Sequence, residues 1–443
     1  MGRTLAHPAR IIPLGFLAAI MLGTALLMLP ISRAGPGGAP FITALFTATS
    51  AVCITGLAVV DTATYWSGFG RSVIMLLFQL GGFGIMSGAT LLGLLVARRL
   101  RLGTRLIAQH ETRSLGLGDV KQVLWLVLGI TVVVQSVTTL ALALRLRLGH
   151  GMGWEDALWH GLFHAVSAFN NAGFSTFSDS MVGFARDPLV LAPVGLAVFI
   201  GAIGFPVVAD LLRDPWRPAR WSLHAKLTLV ATGILFGGGL LALLAFEWDN
   251  AATLGALEWP HRVVNAAFHS AMLRSGGLNS LDVGLMRDET LTVSYALMFV
   301  GGGSAGTGGG VRVTTLVVLA LVVWAVARGE PDANIYGRRI PVEIQRQALA
   351  VVMLALALCA GGSLALQMLT DFPLRDVMFE VISATATVGL STGITPDLPP
   401  GAQFVLSVLM FTGRVGTVTV VTALALQSSL KPYRYPEERP IVG

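Results

Sequence analysis

Charge is what this sequence has least of. Only 12% of its 443 residues are Asp, Glu, Lys or Arg, about half the share of a soluble domain. Cysteine is nearly absent: Cys53 and Cys359 stand far apart in apolar surroundings, with no CxxC or Cys/His spacing near them. That excludes a disulfide framework and a cysteine-based zinc site. Neither GKS nor GKT nor HExxH occurs, so a P-loop and a zinc-protease helix are excluded as well. HGLFH (160–164) sets two histidines four apart but lacks the glutamate, and GIMSG (84–88) has the wrong spacing for a serine-hydrolase turn. The arginines at 98–105 lack the every-third spacing of a voltage sensor. No constellation supports catalysis, so the chain is expected to be no enzyme and to carry no cofactor.

What remains is apolar. Hydrophobic residues make up 54% of the chain and the mean hydropathy is +0.73, which defines a polytopic protein of the lipid bilayer. The net charge of +6, almost all from arginine, is explained by membrane topology rather than by nucleic acid. A bilayer core of about 30 Å needs roughly 20 helical residues. Eight segments qualify: 11–30, 71–96, 122–144, 188–212, 223–247, 290–327, 345–369 and 403–427. The first is too long for the apolar region of a signal peptide and is read as an uncleaved span.

Four shorter apolar runs lie between them, at 41–52, 157–169, 261–273 and 374–386. Each reaches only about 18 Å as a helix, halfway across, and such segments re-enter the membrane from one side. Their ends align as FTATSAVCITGL, FHAVSAFNNAGF, AFHSAMLRSGGL and FEVISATATVGL, each closed by a glycine: Gly56, Gly173, Gly277 and Gly389. The expected fold is all-α: four helix–half-helix–helix modules, pseudo-fourfold around a central pore. The modules span 1–121, 122–222, 223–344 and 345–443, with pore loops at 41–57, 157–174, 261–278 and 374–390.

Of 30 basic residues, 19 fall at the termini or in the loops after the second, fourth, sixth and eighth spans. The positive-inside rule puts those loops and both termini in the cytoplasm of a multi-pass cell-membrane protein, with the pore loops opening outside. A cation crossing there must exchange its water for fixed oxygens, and backbone carbonyls supply them without net charge. Glycine reaches the dihedrals that aim successive carbonyls at one axis. The negative end of each half-helix points the same way.

The loops SAVCITGLAVVDT, SAFNNAGFST, SAMLRSGGLNS and SATATVGLST, with the spans between them, resemble the Trk/Ktr/HKT superfamily of potassium transporters, most closely the Ktr-type membrane subunit. Trk-type subunits carry an extra helix pair before the first module, which this chain does not show. The resemblance covers nearly the whole chain. It implies potassium as the transported and bound ion, held by filter backbone at Cys53, Ile54, Thr55 and Gly56; Asn170, Asn171, Ala172 and Gly173; Arg274, Ser275, Gly276 and Gly277; and Ala386, Thr387, Val388 and Gly389. A serine at the first filter glycine goes with sodium preference in the family; here Gly56 is intact. Arg274 is expected to turn behind the filter and pair with Glu380 as its support.

GGGSAGTGGGVRVTT (301–315) interrupts the sixth span. Glycine and serine hold a helix poorly, so a mobile break at membrane depth is expected. The resemblance implies an intramembrane gate here, formed by Gly301, Gly302, Gly303, Ser304, Ala305, Gly306, Thr307, Gly308, Gly309 and Gly310. Arg414 sits mid-span, where a bare charge costs at least about 2.5 kcal/mol; the resemblance gives it the role of an electrostatic barrier below the filter. Arg312 serves either the gate loop or a cytoplasmic contact. The rival reading is an alternating-access secondary transporter with its substrate site at the broken sixth helix. No soluble domain of useful size is expected on the chain. The resemblance implies a membrane homodimer regulated by a separate cytoplasmic ring of nucleotide-binding subunits, contacted through the basic loops and the tail 431–443.

Overall fold

The computed structural model describes the backbone of residues 8–99 and 120–426 and the side chains of 13–84 and 124–416. The side chains of Arg3, Arg10 and the basic run from Arg98 to Lys121, and the tail 431–443 anticipated as a partner surface, lie outside the described residues.

Long and short helices alternate. The first group is α1 (Pro8–Leu27), α2 (Phe41–Val52), the single turn α3 (Thr62–Tyr65) and α4 (Gly68–Arg99). The second is α5 (Val120–His150), α6 (Trp154–Asn170), α7 (Pro188–Ile203) and α8 (Phe205–Arg213). The third is α9 (Leu223–Glu247), α10 (Trp259–Met272), α11 (Asp288–Phe299) and α12 (Val313–Ala327). The fourth is α13 (Val342–Leu369), α14 (Leu374–Thr385) and α15 (Pro400–Leu426). A small hairpin, β1 (Asn334–Ile335) with β2 (Arg338–Arg339), joins α12 to α13. Its turn residues Tyr336 and Gly337 both have positive φ, the geometry that matches strand twist in two-residue hairpins.

Local chemistry sets the boundaries. Asp187 accepts from the Leu189 N–H and Pro188 opens α7; Ser222 accepts from the Ala225 N–H at the start of α9. Each satisfies a donor that a helix start leaves orphaned. The half-length helices α2 and α14 are entered directly after Pro40 and Pro373.

The groups pack in a closed circuit. α4 meets α5 and α6, α7 meets α10, α11 meets α14, and α15 returns to α1 and α2. One core joins Phe46, Trp66, Phe78, Leu406 and Met410 to Phe163 and Phe174; a second joins Phe184, Leu191, Phe268 and Met298 to Phe379. The outward faces stay apolar: Leu140, Leu148, Leu196, Leu241, Leu364 and Met368 are all more than half exposed. Apolar surface on that scale needs a non-aqueous cover, and among the described residues Leu124–His150, Leu223–Glu247 and Val342–Leu369 are long and apolar enough to cross a bilayer.

One expected span is not continuous. The segment 188–212 divides into α7 and α8, bent by 99° at Gly204, whose φ is +96°. Pro206 follows at the start of α8. It has no N–H to bond back to the Ala202 carbonyl, so the hydrogen-bond ladder of α7 stops here. The sixth segment is interrupted as expected, between Phe299 and Val313.

Candidate functional site

Each half-length helix ends in the same backbone turn. Two residues before the closing glycine, a non-glycine residue takes a left-handed conformation: Ile54 at φ +57°, Asn171 at +58°, Ser275 at +72° and Thr387 at +48°. The glycines follow at +95°, +71°, +74° and +94°. Such backbone is strained for a side chain, most of all for the β-branched Ile54 and Thr387. In three loops the residue before the glycine donates its N–H back to a half-helix serine carbonyl at 2.8 Å: Thr55 to Ser50, Ala172 to Ser167, Val388 to Ser383. The third loop differs. SA begins one residue earlier there, so Ala271 stands where the others have serine, and Gly276 donates to Met272 instead.

The four glycines meet. A Cβ built on Gly56 would lie 2.6 Å from the Ala172 carbonyl oxygen and 2.8 Å from Gly173 Cα. One on Gly173 would lie 3.0 Å from Gly277 Cα; one on Gly277, 2.7 Å from the Val388 carbonyl oxygen; one on Gly389 would collide with the Thr55 carbonyl. The sequence first loop, second, third, fourth and back to the first is therefore a closed ring of backbone with no room for a side chain. The predicted filter residues all lie in these four turns, from Cys53, Asn170, Arg274 and Ala386 to the glycines.

Above the ring lies a cavity of about 320 Å³ lined by all four glycines and by Asp61, Ser175, Ser178, Asn279 and Ser391, among others. Asp61 is exposed. Its oxygens accept from the Ala63 N–H and the Thr64 and Ser178 hydroxyls. Burial works to raise the Asp61 carboxyl, but the bonds from Ser178, Thr64 and Ala63 outweigh it and hold it below the usual carboxylate range. The mouth of the cavity thus keeps a negative charge at neutral pH.

The expected Arg274–Glu380 pair is not formed. The Arg274 guanidinium donates to the Thr232 carbonyl and hydroxyl and, at 3.1 Å, to the Gly301 carbonyl. Glu380 accepts from the Ser391 hydroxyl, the Thr392 N–H and, at 2.8 Å, the Thr395 hydroxyl. Both side chains are buried and both find neutral partners, which spares each a desolvated ion pair. Glu380 braces the strand beyond Gly389. In the second loop His164, at the matching position, takes the same part: Ser175 lies 2.9 Å from its Nε2, while Nδ1 is held by the His160 carbonyl. Glu380→Gln replaces one accepting oxygen by a donor, and the buried hydroxyls lose a partner. A loss of about 1–3 kcal/mol is expected, read as a lower thermal midpoint of the purified protein; an unchanged midpoint would deny the bracing role.

On the opposite side of the ring lies the glycine-rich segment, held there by backbone hydrogen bonds. The N–H of Gly301 donates to the Val311 carbonyl, that of Val311 to Phe299 and that of Val313 to Gly302. Gly303 donates to the Ala202 carbonyl at 2.8 Å and Thr307 to the Gly201 carbonyl at 3.0 Å, both at the broken end of α7. Built Cβ atoms would strike Gly309 from Gly301, the Ala202 carbonyl from Gly302 and Gly306, and Thr387 from Gly309. Close approach is what the glycines supply. Arg312 belongs to this segment: its Nη1 reaches the carbonyls of Gly303 at 3.1 Å, Gly306 and Gly308. Ser304 and Ala305 are only half-buried, while most of 301–310 is buried. The segment is bonded upward to the ring as well, through Thr307 to Asn171 Oδ1 at 2.9 Å and Gly309 to Ser275.

Arg414 is buried in α15 at 2% exposure. All three of its guanidinium nitrogens lack a hydrogen-bond partner among the described residues. It interacts electrostatically with Arg312 and Cys53, the first residue of the first turn. A charge in that state, beside a second cation, is tolerated only where it faces water.

Sequence reasoning missed the left-handed residue two before each glycine and the one-residue offset of the third loop. The offset is legible in SAMLRSGG beside SAVCITG once the serines are aligned instead of the glycines. It also missed the amide cluster in which Asn170 and Gln135 both donate to Gln79 Oε1, at 2.6 and 2.9 Å.

Long apolar helices, half-length helices closing a backbone ring, and an unneutralised arginine below it describe a helical membrane protein built to pass ions. The family of cation transport proteins typified by TrkH matches residues 15–431. The Ktr system potassium uptake protein B of Bacillus subtilis is 37% identical over 98% of this chain and 97% of its own. The potassium/sodium uptake protein NtpJ of Enterococcus hirae is 34% identical over 98% and 97%. The solved structure of the potassium transporter TrkH from Vibrio parahaemolyticus shares the fold, with a TM-score of 0.66 at 18% identity over 94% of this chain and 85% of that one. The chain belongs to the TrkH/Ktr family of cation transport proteins. Its relatives are transporters, so the expectation that it is no enzyme stands on them.

Proposed function

We propose that the chain takes up potassium through a channel-like pore, with the four glycine-closed turns as its selectivity filter. The observation that carries this reading is the closed ring of Gly56, Gly173, Gly277 and Gly389 beneath a shared cavity. Backbone oxygens brought that close replace the shell of a dehydrated cation without a charged side chain. The four modules are then arranged pseudo-fourfold around one axis, with eight crossings of the cell membrane, two of them broken. The cavity opens outside, where Asp61 raises the local cation concentration, and the termini lie in the cytoplasm.

The glycine-rich segment closes the path below the filter, and Arg414 raises the electrostatic barrier there. Likeness to subunits named for a Ktr system supports a partner regulatory subunit. We place it on the cytoplasmic side as a nucleotide-binding ring, with the membrane chain a homodimer. Rubidium uptake into proteoliposomes, with potassium and sodium as competitors, tests the reading. Potassium should compete well and sodium poorly, and the discrimination should depend on all four filter glycines. Uptake sensitive to the break at 301–310 but indifferent to those glycines would favour alternating access and overturn the pore.

A further inference from the structure

We propose that Ser275 couples the glycine-rich segment to the ring, so that ion discrimination depends on where that segment sits. This rests on the gating role given to the segment above and assigns its link to the filter. The Ser275 side chain is fully buried. Its hydroxyl donates to the Thr387 carbonyl in the fourth turn at 2.7 Å and accepts the Gly309 N–H at 2.8 Å. One oxygen therefore joins three chain segments: its own turn, the neighbouring turn and the gate.

The geometry makes the link specific. Ser275 and Thr387 are the left-handed residues of their turns, two before Gly277 and Gly389. The Thr387 carbonyl belongs to the fourth turn, two residues before its glycine, and the Ser275 hydroxyl holds it. Gly309 is pressed against the same residue, since a Cβ on it would strike Thr387 Oγ1 and come within 2.5 Å of the Ala386 carbonyl oxygen. The first turn has no such connection among the described residues: Thr55 Oγ1 is buried without a partner, and the second is tied to the segment only through Asn171 and the Phe169 carbonyl.

A docked segment holds the Ser275 hydroxyl with its proton directed at Thr387. Withdrawal of Gly309 removes the donor that fixes it. The hydroxyl is then free to turn, and the fourth turn loses its anchor to the third. Filter geometry and gate position thereby become one equilibrium rather than two. A structural serine that only fills space would not behave this way.

The test uses the full-length chain in proteoliposomes, reading rubidium uptake and its inhibition by sodium. Ser275→Ala should raise rubidium uptake and weaken discrimination against sodium, each by about five- to tenfold, the worth of a buried hydrogen bond. Ser275→Thr keeps the hydroxyl and should lose less than Ser275→Ala on both readouts, the remainder reflecting the strain of a β-branched residue at φ +72°. Gly309→Ala, which forces the segment off Thr387, should reproduce the Ser275→Ala phenotype, and the double variant should show no added change. Additive effects, or normal discrimination in Ser275→Ala beside an altered Gly309→Ala, would overturn the coupling while leaving the gate. Uptake unchanged in Gly309→Ala would remove the gate itself. Size-exclusion profiles identify any variant that fails to fold, and Thr307→Val then serves as the second way to loosen the segment.

Discussion

Replacing Gly56 by serine should abolish most of the discrimination between potassium and sodium. The added Cβ would stand 2.6 Å from the Ala172 carbonyl oxygen and 2.8 Å from Gly173 Cα, both rigid backbone. The residue also sits at φ +95°, where a side chain is strained by about 1–3 kcal/mol. The first turn must therefore retreat, and every carbonyl it aims at the axis moves with it. Potassium, which sheds its water more easily than sodium, loses its advantage when the replacement oxygens are misplaced. A shift of about 1.4 kcal/mol in relative binding is tenfold in preference. The ratio of rubidium uptake inhibition by potassium and by sodium should thus fall roughly tenfold or more. A ratio equal to that of the parent protein would sink the filter.

Arg414→Ala should act in the opposite sense, speeding transport. Through an effective dielectric of about 20, a unit charge raises a passing cation's energy by about 4 kcal/mol at about 4 Å and by about half that at twice the distance. On the smaller figure, removing it should raise the rubidium uptake rate roughly thirtyfold at low ionic strength. Arg414→Lys keeps the charge and should keep most of the barrier, separating electrostatics from packing. The orphaned guanidinium makes this a clean experiment, since no hydrogen-bond partner among the described residues is left stranded by its loss. Unchanged rates in both variants would show that the ion path does not pass this side chain.

The parts of this molecule written in composition were legible. The half-length helix α2 covers 41–52 as expected, α9 covers 223–247, and α14 ends at Thr385, one residue short of the apolar run. The closing glycines could be placed because a backbone constraint leaves glycine no substitute. What could not be read was which neutral groups the buried charges meet. Arg274 and Glu380 are complementary in charge, yet each is met by carbonyls, hydroxyls or an N–H that leave no signature in the sequence. The break at Gly204 escaped for a related reason: 188–212 carries a single charge, Asp210, near its end, and hydropathy does not register a turn in the chain. Only the Gly-Phe-Pro run marks it. The close packing of the glycine-rich segment was not legible either: glycine signals a permissive backbone, and only the structure shows how near its neighbours stand.

The kink after α7 has a consequence for how the sequence can change. With Pro206 unable to donate, the carbonyl of Ala202 has no helical partner; the Gly303 N–H takes it, and the Thr307 N–H takes that of Gly201. Two interruptions in two different membrane helices thus complete each other. Straightening either one alone would strand polar groups of the other in a medium without water, at several kcal/mol each. A substitution that straightens one bend is therefore expected to need a matching change at the other, although the two lie about a hundred residues apart in sequence.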